Sequence, residues 1–197
     1  MKKKKETHPY VSRGGVKLEH ALKEFKIEVQ GKIALDVGSS TGGFTDCLLK
    51  HGANKVYAVD VGYGLLDWKL RKDPRIKVVE RTNIRYLTPE KLYAGDPKAN
   101  LAAIDVSFIS LSNVLPSVFE LLTKGAEVVA LVKPQFEARR EQVERGGIVK
   151  DEMVHQEVIE KVKTAAGKLG FVVKGTTKSP IEGADGNIEF LIHLVKV

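Results

Sequence analysis

Four apolar stretches of this 197-residue chain run into a charged side chain. Ile33-Ala34-Leu35 ends at Asp36, Lys55 to Val59 at Asp60, Leu101 to Ile104 at Asp105, and Glu127 to Val132 at Lys133. Short apolar runs of this kind are strands of a buried parallel sheet, and the carboxyl ends of such strands line one crevice in which ligands bind. One charged strand end is ordinary punctuation; four in succession read as a site. Lys133 carries the most chemistry among them. It follows a buried strand, precedes the rigid Pro134 and stands near the end of the Asp105 strand, while Glu189 enters near the start of the last strand and Lys17 reaches over from an N-terminal helix. Two cations and two acids together are nearly neutral, which makes partial burial tolerable. A neighbouring ammonium and desolvation lower a lysine pKa and carboxylates raise it; where the first pair wins, the amine is a general base toward a hydroxyl. The competing reading is two separate surface ion pairs.

The first charged strand end opens the segment Asp36-Val-Gly-Ser-Ser-Thr-Gly-Gly-Phe-Thr-Asp46, a strand, a glycine turn and a helix. Such a turn brings backbone N–H groups and the positive end of a helix to the sheet edge, where a carboxylate or phosphate binds. A dinucleotide turn needs G-x-G-x-x-G, and here Gly38 is followed by Ser39. Asp36, read as part of the turn, repels a pyrophosphate and favours a ligand carrying a cation. Asp60 is placed to accept the two hydroxyls of a ribose, and Asn83, just past the strand Ile76 to Val79, to read an adenine amino group. S-adenosyl-L-methionine combines a carboxylate, a ribose diol and a sulfonium, and fits better than a nicotinamide or flavin. Methyl transfer from a sulfonium is an in-line displacement, so the protein mainly aligns the acceptor hydroxyl and removes its proton.

The elements that must hold these groups follow from periodicity. Leu18, Ala21, Leu22 and Phe25 fall at helical spacing, so Tyr10 to Phe25 contains an amphipathic helix, with Lys17 in its first turn against the helix dipole. A short helix through Leu65, Leu66, Trp68 and Leu70 is expected to stop at Asp73-Pro74; Tyr63 and Trp68 either flank an adenine or another base or are buried against the sheet. A helix from about Leu111 to Leu122 precedes the strand Glu127 to Val132. Gln135 to Lys150 is a long charged connection in which Arg139, Arg140 and Arg145 are candidates for RNA phosphates, as is Arg13, with Gly146-Gly147 as a hinge; a solvated surface loop is the plain alternative. Glu152 to Leu169 is a helix with Val154, Val158, Ile159, Val162 and Ala165 inward. Phe171 to Thr176 and Ile188 to Val197, joined by the loop Pro180 to Gly186, form an antiparallel terminal pair. The expectation is an α/β, class I (Rossmann-like) methyltransferase fold: a mostly parallel seven-stranded sheet with an antiparallel terminal hairpin and helices on both faces.

Composition narrows the partners. The length suits one domain with a substantial core. Residues 1–9 read as a disordered basic arm or terminal remnant, and 10–197 as the methyltransferase domain. No apolar stretch reaches spanning length and no apolar segment follows the N-terminal lysines, so a cytoplasmic protein without membrane insertion is expected. Cys47 is the only cysteine, which excludes an intrachain disulfide and a thiolate metal cluster; no metal is expected. A net charge of +7 and a pI near 9.3 favour RNA or DNA over an acidic membrane.

Tyr10-Val-Ser-Arg-Gly-Gly-Val-Lys17-Leu, the Asp36 to Asp46 turn, Val59-Asp-Val-Gly-Tyr-Gly64, Glu80-Arg-Thr-Asn83, Asp105-Val-Ser-Phe-Ile-Ser110, Leu131-Val-Lys-Pro-Gln-Phe-Glu137 and Gly186-Asn-Ile-Glu189 together resemble the TlyA (hemolysin A-like) family. These are FtsJ-like ribosomal RNA 2′-O-methyltransferases that modify cytidine ribose, some of them first described as hemolysins. The resemblance implies a catalytic tetrad at Lys17, Asp105, Lys133 and Glu189, and a cofactor site at Gly38, Ser40, Gly42, Gly43, Phe44, Asp60, Asn83 and Asp105, joined by Asp36 from the reading above. It implies ribosomal RNA or a ribosomal subunit as partner. The family's small N-terminal RNA-binding domain has no counterpart in the nine residues before Tyr10, as in a truncated or naturally short member. A membrane-active hemolysin, a non-catalytic RNA-binding module and a small-molecule methyltransferase are the rival readings.

Overall fold

A computed structural model of the chain describes residues 8–183 and 186–197. The helices are α1 (Gly14–Glu24), α2 (Gly43–Lys50), α3 (Trp68–Arg71), α4 (Pro89–Tyr93), α5 (Leu115–Leu121), α6 (Pro134–Glu137) and α7 (Glu152–Leu169). The strands are β1 (Ile33–Val37), β2 (Lys55–Val59), β3 (Ile76–Val79), β4 (Ala99–Ile104), β5 (Leu122–Val132), β6 (Phe171–Lys178) and β7 (Phe190–Lys196). They form one sheet in the order β3-β2-β1-β4-β5-β7-β6, parallel from β3 to β5 and antiparallel where β7 meets β5 and β6. This is the expected seven-stranded architecture. Most of the N-terminal arm, residues 1–7, lies outside the described residues, as do two positions of the loop before β7.

The continuous apolar runs are explained by burial on both faces. Along β1 and β2, Ala34, Val56 and Ala58 face the layer holding Leu18 and Leu22 of α1, Leu48 of α2 and Leu70 of α3; Leu35, Val37, Tyr57 and Val59 face the layer of Leu115 and Val118 of α5 and Val158 and Val162 of α7. No helix among the described residues is long and apolar enough to cross a membrane.

Several boundaries differ from the sequence reading. β1 continues through Val37, so Asp36 is a fully buried residue within the strand and not part of the turn. The helix expected through Leu65 to Leu70 is a four-residue piece starting at Trp68, and Tyr63 and Trp68 are exposed, not buried against the sheet. Pro116 has no N–H to donate, and the helix expected from Leu111 divides into a 3₁₀ turn at Leu111–Asn113 and α5. β5 begins at Leu122, five residues early, and its pairing with β4 shifts register across Thr123 to Ala126. Glu189 lies on the approach to β7, which starts one residue later. On α7, Ala166 is fully buried where Ala165 was expected to point inward.

Candidate active site

At the carboxyl edge of the sheet β1 and β4 end side by side, and the chain leaves them toward opposite edges, to β2 and to β5. The ladder between them ends where Asp105 N–H donates to Val37 O at 2.9 Å, so Asp105 sits against the glycine turn. Gly38 is needed there: its φ is +84°, and a Cβ would stand 2.3 Å from Asp105 O. Asp60, past the end of β2, accepts N–H groups of Ser40 at 2.8 Å and Gly62 at 2.7 Å, which ties the turn to the neighbouring strand. α2 then starts at Gly43 with no side chain capping its first turn. The N-terminal segment closes over it: Val11 N–H donates to Asp46 in that first turn, and a Cβ on Gly43 would meet Ser12 Oγ at 2.2 Å.

Two cavities open on this edge. The first, about 260 Å³, is lined by all four charged groups, Lys17, Asp105, Lys133 and Glu189, together with Arg13, Gly38, Ser40, Gly43 and Phe44. The second, about 560 Å³, is more apolar; Asp60 and Asn83 lie on it with Val61, Leu65 and Ile109, and it shares Gly38, Ser40 and Asp105 with the first. The pair has the size and mixed character of a site for an elongated small molecule.

The four charged groups form two ion pairs. Lys17 Nζ donates to Glu189 Oε2 at 2.5 Å, with side chains 11% and 3% exposed. This partner explains a cation in the first turn of α1, where the dipole alone disfavours it. Glu189 is held in turn by its backbone, which accepts from Ser179 N–H at 2.8 Å. Lys133 Nζ lies 2.6 Å from Asp105 Oδ1, an oxygen that makes no hydrogen bond, and donates to Ser107 Oγ at 2.9 Å. The separate-pair alternative is therefore half right: the ions are paired two by two, yet both pairs face one cavity.

Other expected residues fall elsewhere. Asp36 lines neither cavity; it lies under α2, where its Oδ2 accepts from Thr45 Oγ1 at 2.5 Å and its Oδ1 is unpartnered. Burial, reinforced by Asp105 and Asp60 and opposed by the Thr45 hydroxyl, pushes its carboxyl up to about 7. Gly42 lines neither cavity; its φ is +98°, and a Cβ there would meet Leu70 and Leu66. Arg139, Arg140 and Arg145 are exposed and line neither cavity, and Arg139 faces Glu141 at 3.7 Å. Their loop is anchored at its far end by buried Asn187, whose side chain accepts from Val149 N–H at 2.9 Å and donates to Gly147 O at 2.8 Å. Sequence reasoning passed over Ser107 and Phe108. The serine was findable as a hydroxyl two residues past a strand-end acid; Phe108, exposed at a left-handed φ of +63°, sits in an apolar stretch that reads as core.

The fold is that of the class I S-adenosylmethionine-dependent methyltransferases: an enzyme of that description from Mesorhizobium loti superposes with a TM-score of 0.64 over 90% of this chain and 96% of its own, at 18% identity. The sequence match is narrower. Residues 10–196 match the model of the FtsJ-like methyltransferases, and the chain belongs to that family, within its TlyA (hemolysin A-like) branch. It is similar to YqxC of Bacillus subtilis (57% identity over 94% of this chain and 65% of the relative) and to the 16S/23S rRNA (cytidine-2′-O)-methyltransferase TlyA of Mycobacterium tuberculosis (46% over 94% and 68%). A crystal structure of a Lactococcus lactis protein classed as a hemolysin gives a TM-score of 0.93 at 54% identity, covering 97% of this chain and 90% of that one. The chain thus spans about two thirds of the length of the relatives it matches by sequence.

Proposed function

We propose that this chain is the methyl-transferring domain, residues 10–197, of a ribosomal RNA ribose 2′-O-methyltransferase, with cytidine as the modified nucleoside and S-adenosyl-L-methionine as donor. The observation that carries the reading is the convergence of two lysine–carboxylate pairs on one cavity that shares Asp105 with the larger one beside it. The residues present fit the donor. Asp60 stands ready for ribose hydroxyls, Asn83 and the apolar wall for an adenine, and the uncapped start of α2 near Thr41 and Gly43 for a carboxylate. Bound there, S-adenosyl-L-methionine supplies a methyl group on a positively charged sulfur.

Lys133 is the group placed to take the proton of the acceptor 2′-hydroxyl while the new O–C bond forms and the S–C bond breaks. The ammonium that results is the species that the Asp105 carboxylate meets at 2.6 Å, with Ser107 fixing the direction of Nζ. Lys17 and Glu189 wall the acceptor side and hold a nearly neutral field there. Arg13 at the cavity rim, and Arg139, Arg140 and Arg145 on the adjoining loop, meet phosphates. A cytoplasmic location near ribosomes follows from the substrate.

The test is transfer of labelled methyl from S-adenosyl-L-methionine to unmodified ribosomal subunits and their naked rRNA. The expected result is ribose-specific label that falls roughly 10²–10⁴-fold in Lys133→Ala while calorimetry still detects donor binding. Donor binding without label on any RNA overturns the substrate; equal turnover in the variant overturns the base.

A further inference from the structure

Four of the nine most exposed large apolar side chains among the described residues lie in one stretch, Val61, Tyr63, Leu65 and Trp68. Val61 and Leu65 turn an edge toward the larger cavity, but Tyr63 and Trp68, 67% and 61% exposed, line neither of the two cavities described above. Each ring carries a cation: the Arg81 guanidinium is 4.1 Å from the Tyr63 centroid and Lys72 Nζ 4.7 Å from that of Trp68. Arg81 is directed there by a left-handed backbone, φ +52°, with its N–H on Gly62 O at 2.9 Å. Residues 61–81 hold six lysines and arginines against three acids, and the acids are engaged elsewhere. Asp67 caps α3, Asp73 takes Arg75, and Glu80 takes Arg71 and the Gly64 N–H, so neither Arg81 nor Lys72 has a carboxylate partner among the described residues.

We infer that Tyr63 and Trp68, with Arg81 and Lys72, form a stacking platform for unpaired nucleotides of the substrate RNA that flank the methylated one. The inference rests on the RNA reading above. Exposed rings interleaved with unpaired cations suit single-stranded RNA, whose bases stack on aromatic or guanidinium planes while its phosphates take the charge. A purely apolar protein partner would leave those cations buried without counter-charge.

The experiment is fluorescence anisotropy with a labelled single-stranded oligoribonucleotide, alongside methylation of rRNA and donor calorimetry. Tyr63→Ala/Trp68→Ala is expected to raise the Kd for the oligonucleotide by about tenfold or more and the KM for rRNA in step, with donor affinity unchanged. Tyr63→Phe/Trp68→Phe keeps wild-type binding, because the ring and not the hydroxyl or indole N–H is used. Arg81→Ala/Lys72→Ala lowers the slope of log Kd against log salt by about 1.4, about 0.7 for each cation removed. If the wild type neither binds nor methylates RNA, the functional reading itself falls. Should it do both while the ring-less variant binds RNA equally well, only the platform is overturned. The same holds if that variant instead dissociates a dimer in sedimentation, which would make this face a contact between copies.

Discussion

The two ion pairs at the sheet edge are chemically alike and physically different. The Lys17 and Glu189 side chains are 11% and 3% exposed, whereas Lys133, also 11% exposed, faces an acid that is 24% exposed and shared with the larger cavity. In the first pair each ion has little but the other to offset its lost hydration; in the second, water and Ser107 share that task. Equal composition therefore does not mean equal work. The pair with the more deeply buried acid fixes α1 against the approach to β7, and the other is the pair shared with the larger cavity.

The contrast breaks most sharply by single deletions. Lys17→Met leaves the buried Glu189 carboxylate unpaired and is expected to lower unfolding free energy by about 3–5 kcal/mol in urea titration, with Glu189→Leu added to it recovering most of the loss. Lys133→Met in the same titration costs about 1 kcal/mol, since Asp105 keeps access to water. Equal losses in the two variants would remove the distinction. A second test moves to the larger cavity. Asp60→Ala removes the acceptor for the Ser40 and Gly62 N–H groups and for a ribose diol, and donor affinity by calorimetry should fall about 10- to 100-fold. An unchanged affinity would detach Asp60 from the donor.

A pH-dependent effect concerns the acid buried under α2. Asp36 has a folded pKa of about 7, above the unfolded value near 4, so the native state holds the extra proton between them. Stability from this group is full below about pH 4 and declines as pH rises through 7. Thermal melts should show Asp36→Asn gaining on the wild type at pH 8 and not at pH 4; a constant difference at both would mean that Asp36 does not titrate in this range.

Much of this was legible in the sequence. Strand ends at Asp60, Asp105 and Lys133 were visible because a parallel strand buried on both faces has no polar interior, so the first charge marks its exit. The same rule misled at Asp36, where a charged residue stays inside the strand because a threonine on α2 meets it. For Tyr63 and Trp68 the sequence left burial against the sheet and flanking a base both open; Leu66, ahead of α3, and Leu70, on it, turn inward and leave the rings outside. The arginines of the Gln135 to Lys150 loop had no periodic pattern to fix them, and they remain at the surface.

The sequence by itself determined the doubly covered sheet, the glycine turn and the identities of the four charged groups, because period, spacing and backbone freedom are local properties. Only the tertiary structure decided who pairs with whom. Lys17 meets Glu189 across 172 positions, and Lys133 meets Asp105 where the neighbouring strands β5 and β4 end. Which acid is the more deeply buried depends on how α1 closes over α2, a packing outcome that no short window of sequence contains.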